Sequence, residues 1–206
     1  MRQFSSDIAF TPAVKAVQSA KGSRNNYSRM ELGGSWESTV TPALKAFITD
    51  LDMFYLGTAN AEGQPYIQSR GGWPGFLKVL NDKTLAFADF GGNRQYITVG
   101  NLSENPKAFL FLMDYGHSRR IKLWGTARVI ENDATLLEQL WDSSYPGKVE
   151  RAILFEIEAW DVNCPQHIHK RFSQSQIAPV IEQLQQRIQD LEGQLAAYKA
   201  PTISNG

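Results

Sequence analysis

The stretch from Thr84 to Pro106, TLAFADFGGNRQYITVGNLSENP, decides how this chain folds. Its first part is short, apolar and β-favouring, which predicts a strand over 84–90. Two glycines and Asn93 then favour a turn, because these residues adopt backbone angles that larger side chains avoid. The residues over 94–102 are compatible with a short helix, which the pair Asn105–Pro106 must end.

The turn before this helix brings three features of anion sites together. Backbone N–H groups at a helix start lack intrahelical partners, and the helix dipole places positive charge there. Arg94 adds a guanidinium, which binds phosphate through paired N–H donors. The stretch therefore predicts an anion or phosphate site. An ordinary turn with a solvent-exposed arginine is the alternative, because strand–turn–helix junctions are common.

The flanking segments predict a mainly antiparallel β protein of the α+β class. Gly125 indicates a bulge or bend within its strand, and the run over 107–114 is apolar on both faces, as in a buried central strand. Six or seven strands joined by short turns indicate a small closed barrel with flanking helices. The predicted elements are helices over 12–20, 41–51 and 133–143, a surface loop over 21–38, and strands over 53–59, 65–70, 76–80, 84–90, 107–114, 118–131 and 151–162.

Apolar residues at alternating spacings of three and four follow one another from Ile177 to Tyr198. This is the period of a coiled-coil seam, and its arrangement of isoleucine and leucine favours two parallel strands. Arg187 and Glu192 would then occupy flanking positions where opposite charges pair between helices. The pattern predicts a homodimer. An amphipathic helix lying on its own barrel is the alternative.

Length and composition bound the class of protein. The 206 residues can hold one core plus extensions, and 21 basic and 21 acidic residues without a long basic block give no nucleic-acid surface. A single cysteine, Cys164, excludes an internal disulfide, and no apolar run suits a signal peptide or a membrane span. We expect a cytoplasmic protein without membrane contact. Its expected parts are an extension over 1–40, a barrel over 41–172, and a dimerisation helix and tail over 173–206.

Sequence signatures of hydrolytic, metal-dependent or nucleotide-dependent catalysis are absent. There is no Ser-His-Asp arrangement, paired-carboxylate signature, HExxH spacing, GxGxxG or P-loop. His167 and His169 would share one face of a strand, but two histidines do not complete a metal site. We therefore predict no metal, and the sequence assigns no catalytic residue.

A series of short motifs follows in a fixed order from Gln64 to Lys122. They are Gln64-Pro65, Arg70-Gly71-Gly72, Phe76-Leu77-Lys78, Phe87-Ala88-Asp89, Gly92-Asn93-Arg94-Gln95, Asn101-Leu102, Asn105-Pro106 and Arg119-Arg120-Ile121-Lys122. Their order and spacing resemble the FMN-binding split barrel of the pyridoxamine 5'-phosphate oxidase family, over about residues 45–165. The resemblance implies a split barrel, FMN as cofactor, and a homodimer that holds FMN at the subunit interface.

The same resemblance implies roles for residues around the flavin phosphate. Lys78 ends the strand whose family counterpart reaches the phosphate, and Asp89 lies where family members offer a strand-end group to the flavin. Arg94 matches the arginine of the family's phosphate grip. The chain departs from the family where Gln95 replaces a lysine, a loss that neighbouring polar side chains are expected to offset. These neighbours are Arg70 and Asn93.

Two cations are placed near the flavin ring by the resemblance. Arg120 aligns with a glutamine near the isoalloxazine, and Lys122 aligns with the second arginine of that family strand. A cation at this position would stabilise the anionic reduced flavin electrostatically. We hypothesise that Arg120 raises the reduction potential in this way.

The C-terminal segment departs from the pyridoxal phosphate recognition signature of the family. In its place stands WDVNCPQHI over 160–168, which resembles an uncharacterised branch. Its Trp160, Gln166 and His167 are expected either to reach a flavin across the dimer or to fix the exit of the last strand. Vitamin B6 oxidation is therefore not the favoured activity.

The resemblance implies an FMN-dependent oxidoreductase acting on a small molecule or a pyridine nucleotide, NAD(P)H. A flavin-binding or storage module without turnover is the second hypothesis. A haem-handling split barrel, with His167 as ligand, is the third.

Overall fold

An antiparallel sheet forms the centre of the chain in the computed structural model, which describes residues 3–34, 36–162 and 166–199. Within those ranges the sheet has seven strands, hydrogen-bonded in the order β2-β1-β5-β6-β7-β4-β3. They are β1 (Met53–Ala59), β2 (Pro65–Gly71), β3 (Lys78–Val79), β4 (Thr84–Phe90), β5 (Lys107–Asp114), β6 (Arg119–Ile130) and β7 (Val149–Val162). This confirms the predicted fold class.

The sheet curls until its two ends meet. The ring of Phe54 on β1 lies 5.1 Å from that of Phe87 on β4, although β5, β6 and β7 separate these strands in the sheet. Arg70 on the edge strand β2 likewise pairs with Asp89 on β4. The result is a barrel that is split between β2 and β4, with an apolar interior in which Phe155 is fully buried.

Six α-helices and one short 3₁₀ helix accompany the sheet within the described ranges. The helices α1 and α3 begin where Thr11 and Thr41 cap them, since each threonine hydroxyl accepts a backbone N–H of the first turn, at 3.3 and 3.2 Å. The helices are α1 (Pro12–Ala20), α2 (Arg24–Leu32), α3 (Pro42–Thr49), α4 (Ile97–Glu104), α5 (Ala134–Leu140) and α6 (Gln174–Lys199), and the 3₁₀ helix is Ser5–Ile8.

The prediction of a loop over 21–38 is wrong for the central part of that range, which forms the helix α2. The helix is polar along most of its length, so it lacks the apolar period that identifies a helix in a sequence. Its stability comes from contacts made on folding. The buried Glu31 pairs with Arg24, and its Oε1 lies 3.6 Å from the Nζ of Lys15. Ser35 of the predicted loop lies outside the described residues.

The predicted strand over 107–114 is correct, but it is not buried on both faces. Leu110 and Leu112 are fully buried, whereas Phe109 and Phe111 on the other face are half-buried. The apolar outer face is covered only in part by the N-terminal segment, where the Trp36 ring stacks on Trp124 at 4.8 Å. The apolar composition of both faces therefore does not mean that both are inside the barrel.

Several predicted boundaries were also too long or too short, because turns override local preference. The strand over 76–80 shrinks to β3, since Gly75 before it adopts a φ of 78°. The helix predicted from Arg94 starts at Ile97, and the helix over 133–143 ends at Leu140. The last strand begins at Val149, two residues earlier than predicted.

The bulge predicted at Gly125 is confirmed by a register shift between Trp124 and Gly125 in the pairing of β6 with β7. A Cβ at Gly125 would lie 1.9 Å from the backbone oxygen of Glu156. We expect Gly125→Ala to lower the free energy of unfolding by about 1–3 kcal/mol, measured by urea unfolding. Gly100→Ala is the control, because a Cβ there meets nothing within 4 Å. Equal stability of both variants would contradict this account.

None of the helices in the described ranges combines the length and the apolar character needed to cross a lipid bilayer.

Candidate functional site

A cleft of about 200 Å³ opens where the barrel is split, between β2 and the end of β4. The segment from Gly92 to Val99 closes one side, so part of the stretch Thr84–Pro106 forms much of the cleft wall. The cleft brings together five of the predicted site residues, namely Arg70, Asp89, Asn93, Arg94 and Gln95. Its further lining residues are Tyr66, Gln68, Phe90, Gly92, Tyr96, Ile97, Thr98, Val99, Glu150 and Arg151.

Asp89 lies between two arginines at the floor of this cleft. Its side chain is only 6% exposed; one carboxylate oxygen pairs with Arg70, and the other lies 3.2 Å from Nη1 of Arg151. The two guanidinium groups are themselves largely buried. The carboxylate thus balances charge that would be costly to bury alone, and it fixes both arginines in place.

Arg151 is held as a cation by its surroundings. Burial alone lowers the pKa of its guanidinium, but the attraction of Asp89 and Glu150 outweighs burial and raises the pKa above its usual value. The Nη2 atom donates to Glu150 at 2.9 Å, and the guanidinium lies over the ring of Tyr96, 5.2 Å from its centroid. A positively charged group therefore stays fixed beside the start of α4.

Arg70 is oriented by Thr98 as well as by Asp89. Its Nη2 donates to the Thr98 hydroxyl at 3.0 Å, and that hydroxyl donates to Oε1 of Gln68 at 3.2 Å. The Nε of Arg70 is buried and has no hydrogen-bond partner in the described part of the chain. Because buried polar groups are normally paired, this donor lacks the acceptor that such a group usually has.

The turn after β4 is built differently from the sequence prediction. The residues with left-handed backbone angles are Arg94 and Tyr96, at φ values of 58° and 53°, and not the two glycines. Gly91 instead permits a close approach, because a Cβ there would lie 2.9 Å from Oε1 of Glu150. Residues other than glycine seldom adopt left-handed backbone angles, and two of them within three positions are uncommon. Such residues cluster at functional sites.

The start of α4 lies beside the cleft. Tyr96 precedes the helix, and no side chain of the described residues caps it, so the first-turn N–H groups lack a side-chain acceptor there. The first-turn residues Ile97, Thr98 and Val99 line the cleft, and Arg94 beside them makes no hydrogen bond or ion pair with any described residue. The three lining arginines outnumber the two lining carboxylates, so the cleft favours an anion.

The remaining predicted site residues lie outside this cleft. Lys78 lines a separate cavity of about 280 Å³ beside α5. Phe90 lines both this cavity and the cleft at Arg94, so it lies between them. Trp160 is buried, and its indole Nε1 donates to the carbonyl oxygen of Thr39 at 2.8 Å. It therefore ties the N-terminal segment to β7. Gln166 and His167 are exposed beyond that strand, and residues 163–165 of the predicted motif lie outside the described residues.

The two cations predicted near the flavin ring lie on the outer face of β6. Lys122 is engaged within the chain, with its Nζ 3.4 Å from Oδ2 of Asp161 and 5.3 Å from the centroid of the Trp124 ring. The Nε of Arg120 is buried without a hydrogen-bond partner among the described residues. Arg120 thus differs from Lys122, because one of its N–H donors has no acceptor among the described residues.

Sequence reasoning missed Arg151, Thr98 and Glu150. Arg151 stands opposite Asp89 in the pairing of β4 with β7, so knowledge of that pairing would have found it. In the local sequence, Arg151 is only an arginine at the start of an apolar run, and nothing there indicates that it reaches the cleft. In the described ranges, no group of three or more histidine, cysteine, aspartate or glutamate side chains is placed to hold a metal ion.

A profile of the pyridoxamine 5'-phosphate oxidase family matches residues 40–163, more than half of the sequence. The chain therefore belongs to the pyridoxamine 5'-phosphate oxidase family, as the order of its motifs predicted. A comparison with curated proteins gave no match.

Solved structures resemble this chain at low sequence identity. HupZ from Group A Streptococcus is 18% identical and aligns over 65% of this chain and 99% of its own, with a TM-score of 0.51. An FMN-binding protein from Syntrophomonas wolfei is 13% identical over 72% of this chain and 97% of its own, with a TM-score of 0.46. HutZ, the haem storage protein from Vibrio cholerae, is 15% identical over 56% and 88%, with a TM-score of 0.39.

Proposed function

We propose that the protein binds FMN with the phosphate in the cleft at Arg94, and that it acts as an FMN-dependent oxidoreductase on a small molecule or on NAD(P)H. The observation that carries the proposal is Arg94, which has no partner among the described residues and lies beside the start of α4, which none of their side chains caps. Membership of the pyridoxamine 5'-phosphate oxidase family supports it. The structural relatives support the fold alone.

The residues of the cleft fit a phosphate group. Among the described residues, Arg94 has no partner for its guanidinium and the buried Nε of Arg70 has no acceptor, and the first turn of α4 adds backbone N–H donors. Asp89 does not oppose the anion, because Arg70 and Arg151 neutralise it. Gln95 leaves the site without the lysine common in the family, so Arg94 is expected to carry more of the phosphate's charge.

The size of the cleft limits what it can hold. At about 200 Å³ it is smaller than the roughly 300–1,000 Å³ of pockets that enclose a whole small molecule. We therefore expect the cleft to take the phosphate and part of the ribityl chain, and the flavin ring to extend beyond it. The homodimer predicted from the sequence would supply a second surface for the ring.

Bound FMN supplies hydride or electron transfer at its N5 atom. The chain's own residues bind and orient the phosphate through Arg94 and Arg70. The role of Arg120 beside the flavin ring stays a prediction, which its buried Nε, unpaired in the described part of the chain, supports. A flavin-binding module without turnover remains the second candidate, because the cleft accounts for binding and does not by itself identify a substrate.

Absorption spectroscopy of the purified protein tests the proposal. We expect flavin bands in the visible spectrum, release of FMN on denaturation, and loss of the bands when NADH or NADPH is added without oxygen. FMN that neither nucleotide reduces would favour the module without turnover. A haem spectrum in place of flavin bands would contradict the proposal.

A further inference from the structure

The C-terminal helix α6 presents a continuous apolar stripe to solvent. Its exposed fractions range from 39% at Ile177 to 89% at Tyr198. The stripe consists of Ile177, Ile181, Leu184, Ile188, Leu191, Leu195 and Tyr198. The alternative that this stripe packs against the chain's own barrel is therefore wrong, since packing there would bury these side chains.

Residues that weaken helices lie on the side opposite the stripe. In the heptad that places Ile181 and Ile188 at position a, Pro179 and Gly193 both occupy the outermost position f. A Cβ at Gly193 would meet nothing within 4 Å, so no packing contact within the chain requires a glycine there. A helix that contains proline and glycine is marginal alone, and it gains stability by burying its apolar side.

We propose that α6 pairs with α6 of a second copy of this chain as a parallel, in-register, two-stranded coiled coil. Isoleucine at positions a and leucine at positions d, as at Ile188 and Leu191, favour this state. Arg187 at position g then faces Glu192 at position e of the other copy, and the two-fold symmetry repeats this pair. An antiparallel pair would instead set like positions against each other and lose both charge pairs.

The charge of the helix argues against a lipid surface as the occupant. Among its residues Gln174–Lys199, α6 has three acidic and two basic side chains, whereas helices that lie on membranes are rich in Lys and Arg on their polar face. A second copy supplies the apolar partner and the opposite charge together. This proposal does not depend on FMN.

The coiled coil would also constrain the barrels, because the segment before α6 is attached to the turn between β5 and β6. The Arg171 guanidinium lies over the Tyr115 ring, 5.0 Å from its centroid, and the Arg171 N–H donates to the Tyr115 carbonyl oxygen at 3.4 Å. The Ser118 hydroxyl donates to the carbonyl oxygen of Ile168 at 3.3 Å. Pairing of the helices would therefore bring these turns of the two copies to the same end of the coil.

Disulfide trapping distinguishes the parallel coil from every other dimer, including one formed by the barrels alone. In a Cys164→Ser background, Ile177→Cys should cross-link almost completely under mild oxidation with diamide. The outward Gln186→Cys should not cross-link. In an antiparallel pair the two 177 positions would lie about 32 Å apart, at 1.5 Å per residue, which no disulfide spans. Failure of the 177 variant to cross-link, or equal cross-linking at 186, would overturn the proposal.

A second pair of variants tests the seam itself. Adding Ile188→Asp to the Ile177→Cys protein should reduce the cross-linked fraction at least tenfold, because it places a charge in the core of the coil. Adding Gln189→Asp, one position away on the polar side, should leave cross-linking unchanged. Equal cross-linking by these two proteins would overturn the proposal even where the barrels remain dimeric.

Discussion

Replacing Asp89 with asparagine is expected to destabilise the fold more than any other single change considered for this chain. The amide is neutral, so it leaves the guanidinium groups of Arg70 and Arg151 buried without a balancing charge. Breaking one partner of a buried charge network costs about 3–5 kcal/mol. For a chain of this length we expect the melting temperature to fall by roughly 6–20 °C, at about 2–4 °C per kcal/mol.

Thermal unfolding followed by circular dichroism measures this effect. Asp82→Asn is the matched control, because Asp82 is exposed and its carboxylate makes no hydrogen bond or ion pair with the described residues. Surface changes of this kind usually stay within about 0.5 kcal/mol. If Asp89→Asn melts within a degree or two of the control, Asp89 does not hold the two arginines as the geometry indicates.

Replacing Arg94 with alanine is expected to lower the affinity for FMN about 10- to 100-fold without destabilising the fold. The first expectation follows from the loss of a hydrogen-bonded cation, a contact worth about 1.5–3 kcal/mol when it meets a charged group. The second follows because Arg94 is exposed and makes no hydrogen bond, ion pair or ring contact with the described residues. The substitution is also not expected to stabilise the fold by removing backbone strain, since alanine avoids left-handed backbone angles as arginine does.

Fluorescence titration of the apoprotein with FMN measures the loss. Arg128→Ala removes an exposed arginine on β6 and should bind FMN like the wild type. Arg94→Lys should recover part of the affinity, because it restores the charge without the paired N–H donors. Near-normal FMN binding by Arg94→Ala would contradict the phosphate site and would favour the alternative, an ordinary turn with an exposed arginine.

The sequence located the elements of the barrel better than the geometry of its cleft. The strand over 84–90 and the bulge at Gly125 follow from local composition, and the structure confirms both. The turn after β4 was placed correctly, but its left-handed residues are Arg94 and Tyr96. Local preference favours glycine for that conformation. The Tyr96 ring packs against the Arg151 guanidinium, a tertiary contact that local sequence does not reveal.

What the sequence could not supply is the pairing of distant strands. Arg151 reaches the cleft because β7 lies next to β4, and Arg70 reaches it because the sheet curls until β2 approaches β4. Neither relation leaves a trace in local spacing. The helix α2 was missed for a similar reason, since contacts with the preceding helix α1, such as that of Lys15 with Glu31, stabilise it in place of an apolar face.

The affinities of the apoprotein for FMN and for riboflavin isolate the contribution of the phosphate site, because riboflavin has the same ring and ribityl chain without the phosphate. Titrated into the apoprotein, FMN should bind at least tenfold more tightly than riboflavin, and Arg94→Ala should remove most of that preference. Equal affinity of the wild type for the two flavins, or a preference that Arg94→Ala leaves intact, would contradict a phosphate site at the start of α4.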